Sequence, residues 1–277
     1  MPRQGSTFLE MLQGCREGNR RACGQLIESY LSLAEFWIDH YFPVLSPHRD
    51  QVIVELLKTS IVDPGGLLKS FQGTWEREFL REWRLCTLRL CWGRAVYVHD
   101  AAPTPLLRDQ LAGLLKGFPL LHQQLLWFHM CRFPAGELAQ ILSMRPEVVE
   151  PILSKARARA VETNLPHSSG GQIPTMPPKL LVEMDSEKSE NCVSIRLLSK
   201  IIDGQALWAE KEKAEGHTAD CLYCLSNLTA LKETILKLRT LPAANPLRID
   251  NFLNSTMGRP EEKKSFGAAV GKLFKRV

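Results

Sequence analysis

Apolar residues recur along most of this chain at steps of three and four, the period of a helix with one buried face. Leu26, Tyr30, Leu33, Trp37 and Tyr41 mark a long amphipathic helix between Arg20 and Tyr41, closed by Pro43 and Pro47. Val52, Leu56 and Leu57 place a second helix in 49–61. Asp63-Pro64-Gly65-Gly66 breaks the chain before a helix or helix pair over 67–96. The irregular stretch 100–105, with two prolines, precedes a second helical block. In that block Phe118 to Leu126 is helical. Pro134 to Leu142, the turn Ser143-Met144-Arg145 and a helix from Pro146 to Ala160 then form a helix-turn-helix pattern. Alternating strand patterns and hairpin signals are lacking, so the expected fold class is all-α.

Composition shifts divide the chain further. A first helical domain is expected over 8–98 and a second, carrying the helix-turn-helix, over 106–163. Residues 164–187 concentrate Pro, Ser and Gly and are expected to be a flexible linker. Two helices in a small domain over 188–241 follow, and then a polar tail over 242–277. The tail ends in Lys263, Lys264, Lys272, Lys275 and Arg276 around Phe266, Val270, Leu273 and Phe274. That pattern suggests a basic amphipathic helix suited to a membrane surface or a protein partner.

The chain has 277 residues, 44% of them apolar and 23% charged, with a formal net charge of +5. This is enough apolar content for several small cores, and the positive balance suits an acidic partner such as nucleic acid. With no signal-like segment and no apolar run long enough to span a bilayer, the expected location is cytoplasmic. In that reducing setting five of the eight cysteines, at 15, 23, 86, 91 and 131, are expected to be small core hydrophobes.

The other three belong to one constellation. Cys192, His217, Cys221 and Cys224 form the pattern C-x24-H-x3-C-x2-C. The C-x2-C pair brings two thiolates to one ion, and His217 four residues before Cys221 falls on the same face if both lie on one helix. Cys192 arrives from a separate segment. A closed set of three sulfurs and an imidazole favours Zn²⁺ in a structural site, stapling two elements together. If the Cys221–Cys224 thiolates are accessible to oxidants, the same site would be a thiol sensor. No Gly-rich phosphate loop, nucleophile elbow or HExxH motif is present, and the carboxylates are scattered, so no enzyme is expected.

Two further features have competing readings. Trp75, Phe79 and Trp83 share a face at i, i+4 and i+8, and burial in a core is favoured over stacking on unpaired bases. Arg77, Arg81 and Arg84 alternate with Glu76, Glu78 and Glu82, which reads as a solvated face.

The helix-turn-helix segment, with "ELAQIL" at 137–142 and "LSKARAR" at 153–159, resembles region 4 of extracytoplasmic-function sigma factors, the domain that binds the promoter −35 element. Residues 16–95 resemble their region 2, with "EGNRRACGQLIESY" as its opening helix and "FQGTWEREFLREWRL" near its −10 surface. The segment "CVSIRLLSKIIDG" leading to "HTADCLYC" is similar to zinc-binding anti-sigma domains, whose ligands fall on Cys192, His217, Cys221 and Cys224, with Asp203-Gly204 in the turn after the first helix. The resemblance implies a sigma-like regulator of transcription initiation with a fused regulatory domain. Its partners would be core RNA polymerase, promoter DNA and, in cis, its own zinc domain. The residues it points to for DNA contact are Arg145, Lys155, Arg157 and Arg159. The chain departs from the family at Glu150, Pro151 and Ile152, where small, polar and basic residues usually face DNA, and in an acidic polymerase-facing cluster reduced to Asp50 and Glu55. The alternative is a sigma-like scaffold that regulates through protein contacts without reading a promoter.

Overall fold

The computed structural model describes residues 7–95, 104–164 and 173–258 of the chain. Among them there are helices and turns but no strand, as the 3.6-residue period requires. No described helix is long and apolar enough to cross a membrane.

The first block is built from α1 (Phe8–Arg16), α2 (Arg20–Tyr41), α3 (Arg49–Leu57), the short α4 (Leu67–Ser70) and α5 (Glu76–Ala95). Thr7 and Glu10 form a reciprocal capping box at the start of α1, and the Asn19 side chain accepts from the Arg21 and Ala22 amides to open α2. The two helices cross closely at Gly14, where a Cβ would lie 2.6 Å from that of Ala22. Trp37, Phe79 and Trp83 are fully buried between α2 and α5. The core reading of the aromatic face therefore holds for Phe79 and Trp83. Trp75 lies one residue before α5 and is half-buried, with the Arg196 guanidinium 4.6 Å above its ring.

The second block comprises α6 (Thr104–Leu115), α7 (Leu120–Met130), α8 (Ala135–Ile141) and α9 (Pro146–Asn164). Helices α8 and α9 are joined by a tight turn in which Ser143 takes a positive φ of 53°. Val149, Leu153, Ala156 and Ala160 turn inward at steps of four, three and four, so α9 packs on α7 and α8 by one face and leaves the other to solvent. Pro151 is the sixth residue of α9, past the first turn. Its missing N–H leaves the Glu147 carbonyl without its helical partner at an exposed position.

Residues 173–187 correct the expectation of a linker running to 187. Pro178 starts α10 (Pro178–Glu183), which packs on α5 and α6 and buries Leu180 and Leu181; Met176 before it, whose amide donates to the Met130 carbonyl, and Met184 after it are buried too. Four apolar residues at helical spacing outweigh the Pro-rich composition around them. The remaining segment, 165–172, lies outside the described residues. The tail differs similarly: Pro246–Met257 form α14, which buries Ile249, Phe252 and Leu253 against α2 and α3. The basic cluster from Lys263 onward lies outside the described residues.

The metal-motif segment folds as α11 (Ile195–Ile202), α12 (Trp208–Asp220) and α13 (Leu222–Thr240). Helix α13 lies between the two blocks, touching α2 and α5 on one side and α7 and α8 on the other. Glu233, 1% exposed, accepts from Trp37 Nε1 at 2.8 Å and Tyr41 Oη at 2.5 Å, and pairs with Arg84 Nε at 3.4 Å. Arg84, 5% exposed, also donates to Tyr41 Oη at 3.1 Å. One turn on, Lys237 pairs with Glu137 of α8 and sits 4.1 Å above the Phe36 ring. Lys232 donates to Gln124 Oε1 of α7 at 2.7 Å.

A buried charge with its partner removed is costly. Arg84→Met alone is expected to lower stability by about 3–5 kcal/mol in urea unfolding, because the buried Glu233 loses its counter-ion. The double variant Arg84→Met/Glu233→Met should lose less than the single one; an equal or greater loss would show that packing and not charge pairing dominates there.

Candidate metal centre

Four ligand atoms, one each from Cys192, His217, Cys221 and Cys224, lie within 4.8 Å of one another. Cys192 sits in a turn before α11, where the Ser189 amide donates to its Sγ at 3.3 Å. His217 lies in the last turn of α12, and the chain then bends sharply: Cys221, at φ −123° and ψ 109°, is the N-cap of α13, and Cys224 lies in its first turn. The ligands therefore converge through a helix–helix corner. The expectation that His217 and Cys221 share a helix face is corrected, because α12 ends at Asp220.

The geometry fits a tetrahedral ion. Metal–sulfur bonds of about 2.3 Å place two sulfurs about 3.8 Å apart across a tetrahedron, and Cys192 Sγ lies 3.9 Å from Cys221 Sγ. His217 Nε2 is buried and has no hydrogen-bond partner, as a nitrogen reserved for an ion would be. The Val193 amide donates to Cys224 Sγ at 3.3 Å, and the N-terminus of α13 adds its positive end to the two thiols there. The hydrogen bond from the Cys224 thiol pushes Cys221 down to about 5, against the opposing effect of burial. These residues can hold a metal ion. Cys224 is buried, while the other three are half-buried, so the centre lies near the surface.

The centre's ends are tied to the first block. From the α11–α12 turn, the Asp203 carboxylate accepts from Arg77 at 2.8 Å, and Arg77 also reaches the Ser199 carbonyl at 3.3 Å. Arg81 donates to Asn227 Oδ1 at 2.6 Å and to Tyr223 Oη at 3.2 Å, and it pairs with Asp185. Arg89 holds the second Asp185 oxygen at 3.0 Å. The reading of Arg77, Arg81 and Arg84 as a solvated face is thereby overturned: at i, i+4 and i+7 they share one face of α5, and that face is covered by α11 and α13. Sequence reasoning missed this interface, although the spacing of the three arginines was visible. Glu233 carries a weaker signal: it is the one carboxylate of α13, with Lys232 beside it and Lys237 and Arg239 following.

The residues expected to contact DNA are only partly together. Lys155 and Arg157 are exposed on α9, and Arg145 is exposed in the preceding turn, 3.8 Å from Glu147. Arg159 is exposed as well, but it lies 4.8 Å over the Phe118 ring and donates to the Gly117 carbonyl, so it ties α9 to the turn between α6 and α7. Glu150 and Pro151 share the exposed surface of α9, and Ile152 is half-buried. Asp50 and Glu55, the two acidic residues of α3, are both engaged: Arg248 of α14 reaches Asp50 at 2.7 Å, and Arg94 of α5 pairs with Glu55.

No protein-family model matches this chain, and neither a curated protein nor a solved structure does.

Titration with Co²⁺ should show one equivalent bound per chain, with the absorption of thiolate ligation in a tetrahedral field. His217→Ala and Cys221→Ser should each weaken that binding by at least about tenfold, since each removes one of four ligands. Undiminished binding by both variants would place the metal elsewhere.

Proposed function

We propose that this chain is a sigma-like regulator of transcription initiation, held closed by its own C-terminal module around a zinc centre. The observation that carries the reading is the position of α13, inserted between the first block and the helix-turn-helix block and locked there by Glu233, Arg84, Trp37 and Tyr41. A regulator that must hold two functional surfaces apart from their partners needs such a wedge. The resemblance of 16–95 to sigma region 2 and of 118–162 to region 4 says what those surfaces would meet: core RNA polymerase and promoter DNA. The three-sulfur, one-imidazole donor set supports zinc, in a structural role that fixes the corner between α12 and α13.

The arginine face of α5 strengthens this reading. Arg77 and Arg81 meet the carboxylates Asp203 and Asp185, and the buried Arg84 meets Glu233. In an open state Arg77 and Arg81 would face solvent near the segment that resembles the −10 surface, ready for phosphate. Docking in cis keeps the module at a high effective concentration, so an opening signal must weaken contacts rather than dilute a partner.

A second reading has its own support. Glu150 and Pro151 stand on the exposed surface of α9, where a base-reading helix presents donors to the major groove, and a carboxylate there repels phosphate. On that reading the chain is a sigma-like scaffold that acts through protein contacts alone.

Co-purification with core RNA polymerase separates the two. The intact chain should bind weakly, and both the 1–163 fragment and the full-length variant Glu233→Arg, which sets like charges at Arg84, should bind more tightly. If none of the three binds, the transcriptional reading falls and the scaffold reading stands.

A further inference from the structure

The face of α13 turned away from Glu233 borders a cavity of about 340 Å³. Leu228, Lys232, Ile235, Leu236 and Arg239 line it from α13, at i, i+4, i+7, i+8 and i+11. Leu198, Ile201 and Ile202 of α11 form a second wall. Ile141 and Leu142 at the end of α8, with Leu120 of α7, form a third. Its size falls at the lower end of small-molecule sites, about 300–1,000 Å³, and its lining is mixed, with Gln124, Gln140, Ser143 and Thr218 among the apolar residues.

The polar groups here are biased toward an anion. Lys211, Lys232 and Arg239 line the cavity against two carboxylates, Asp203 and Glu215. Asp203 is already engaged by Arg77 at 2.8 Å, and Glu215 lies 3.9 Å from Lys211. Arg239 has no carboxylate partner among the described residues. The Lys232 ammonium is half-buried, and its hydrogen-bond partner is a neutral amide oxygen, that of Gln124, at 2.7 Å. Burial lowers its proton affinity, with Glu215 opposing and Lys211 adding to the effect. An ammonium held this way gains from an anion that displaces or joins the amide oxygen.

We propose that this cavity binds a small amphiphilic carboxylate, a medium-chain acyl acid, with its chain on the leucine and isoleucine walls and its carboxylate on Lys232. The walls come from α7–α8 and from α11–α13 together, so the site is complete only when the C-terminal module is docked. A ligand that binds only the docked arrangement stabilises it by mass action. It therefore tightens the closure and does not release it. That regulatory consequence rests on the function proposed above; the binding does not.

Calorimetric titration of the full-length, metal-loaded chain with decanoate, below its micelle-forming concentration, tests the site. One molecule should bind per chain, and each methylene removed on going to octanoate and hexanoate should weaken binding about fourfold. Lys232→Met should weaken decanoate by about tenfold or more, and decylammonium should not bind. Absence of decanoate binding overturns the proposal. So does equal binding by Lys232→Met or by decylammonium. If circular dichroism shows Lys232→Met to be misfolded, Ile235→Trp serves instead: it fills the cavity, keeps the charges and should abolish binding, and undiminished binding overturns the proposal. Failure of decanoate to bind while the polymerase experiment succeeds would remove this site and leave the proposed function intact.

Discussion

The arrangement of this molecule turns on a single buried carboxylate. Glu233 enters a space walled by Trp37, Tyr41 and Arg84, and each of the three supplies a donor. An ionised carboxylate taken out of water without such donors costs several kcal/mol or more, and a lone Arg84 in the same space costs as much. Neither half tolerates separation unless water can take the other's place. The first block and α13 therefore fit each other specifically. Apolar contact alone would allow α13 to slide or rotate by a turn, whereas a donor set aimed at one carboxylate admits one register.

The segment that carries Glu233 has little core of its own. Leu198, Leu228 and Leu231 form its separate buried cluster, and Leu207 and Trp208 at the start of α12 are exposed. So small an apolar set cannot offset the entropy of ordering three helices. Two substitutes are present. The four ligand atoms bring Cys192, the end of α12 and the start of α13 to one point, where a bound metal would fix them as it does in small domains. The arginines of α5 supply the other, through Asp203, Asp185 and Asn227. Stability that a larger domain draws from its interior is drawn here from the neighbouring block, and an ion held by the four ligands would add to it.

The period of the apolar residues made the helices readable, and the Cys/His spacing made the ligand set readable, because both are local in sequence. Helix-turn-helix boundaries followed from Pro134, Ser143 and Pro146 for the same reason. What could not be read was long-range. Arg84 and Glu233 are 149 residues apart, and nothing in the neighbourhood of either names the other. The α5 arginines resembled a solvated face because their own helix supplies Glu76, Glu78 and Glu82 within two residues of them; the competing partners lie on α11, α13 and the turn after α10. Residues 173–187 misled in the opposite direction. Prolines at 174, 177 and 178 dominate the composition, yet Pro178 occupies the first position of a helix, where its missing N–H costs nothing, and Leu180, Leu181 and Met184 after it are buried.

The metal centre and the carboxylate lock share one rigid rod. Cys224 and Glu233 are nine residues apart on α13, about 13 Å at 1.5 Å per residue. An ion bound there would hold the N-terminal turn of that helix, the end at which the first amides have no helical partners and fraying begins. Its loss would free Cys221 and Cys224 to relax and would loosen the corner with α12. Tyr223 and Asn227, which meet Arg81 between the two sites, would loosen with it. Fraying that reached Asn227 would remove the hydrogen bonds flanking the lock before touching Glu233 itself. The coupling would thus be graded along the helix: an ion at the centre would set how firmly the outer contacts are held, and the buried pair sets which register they return to.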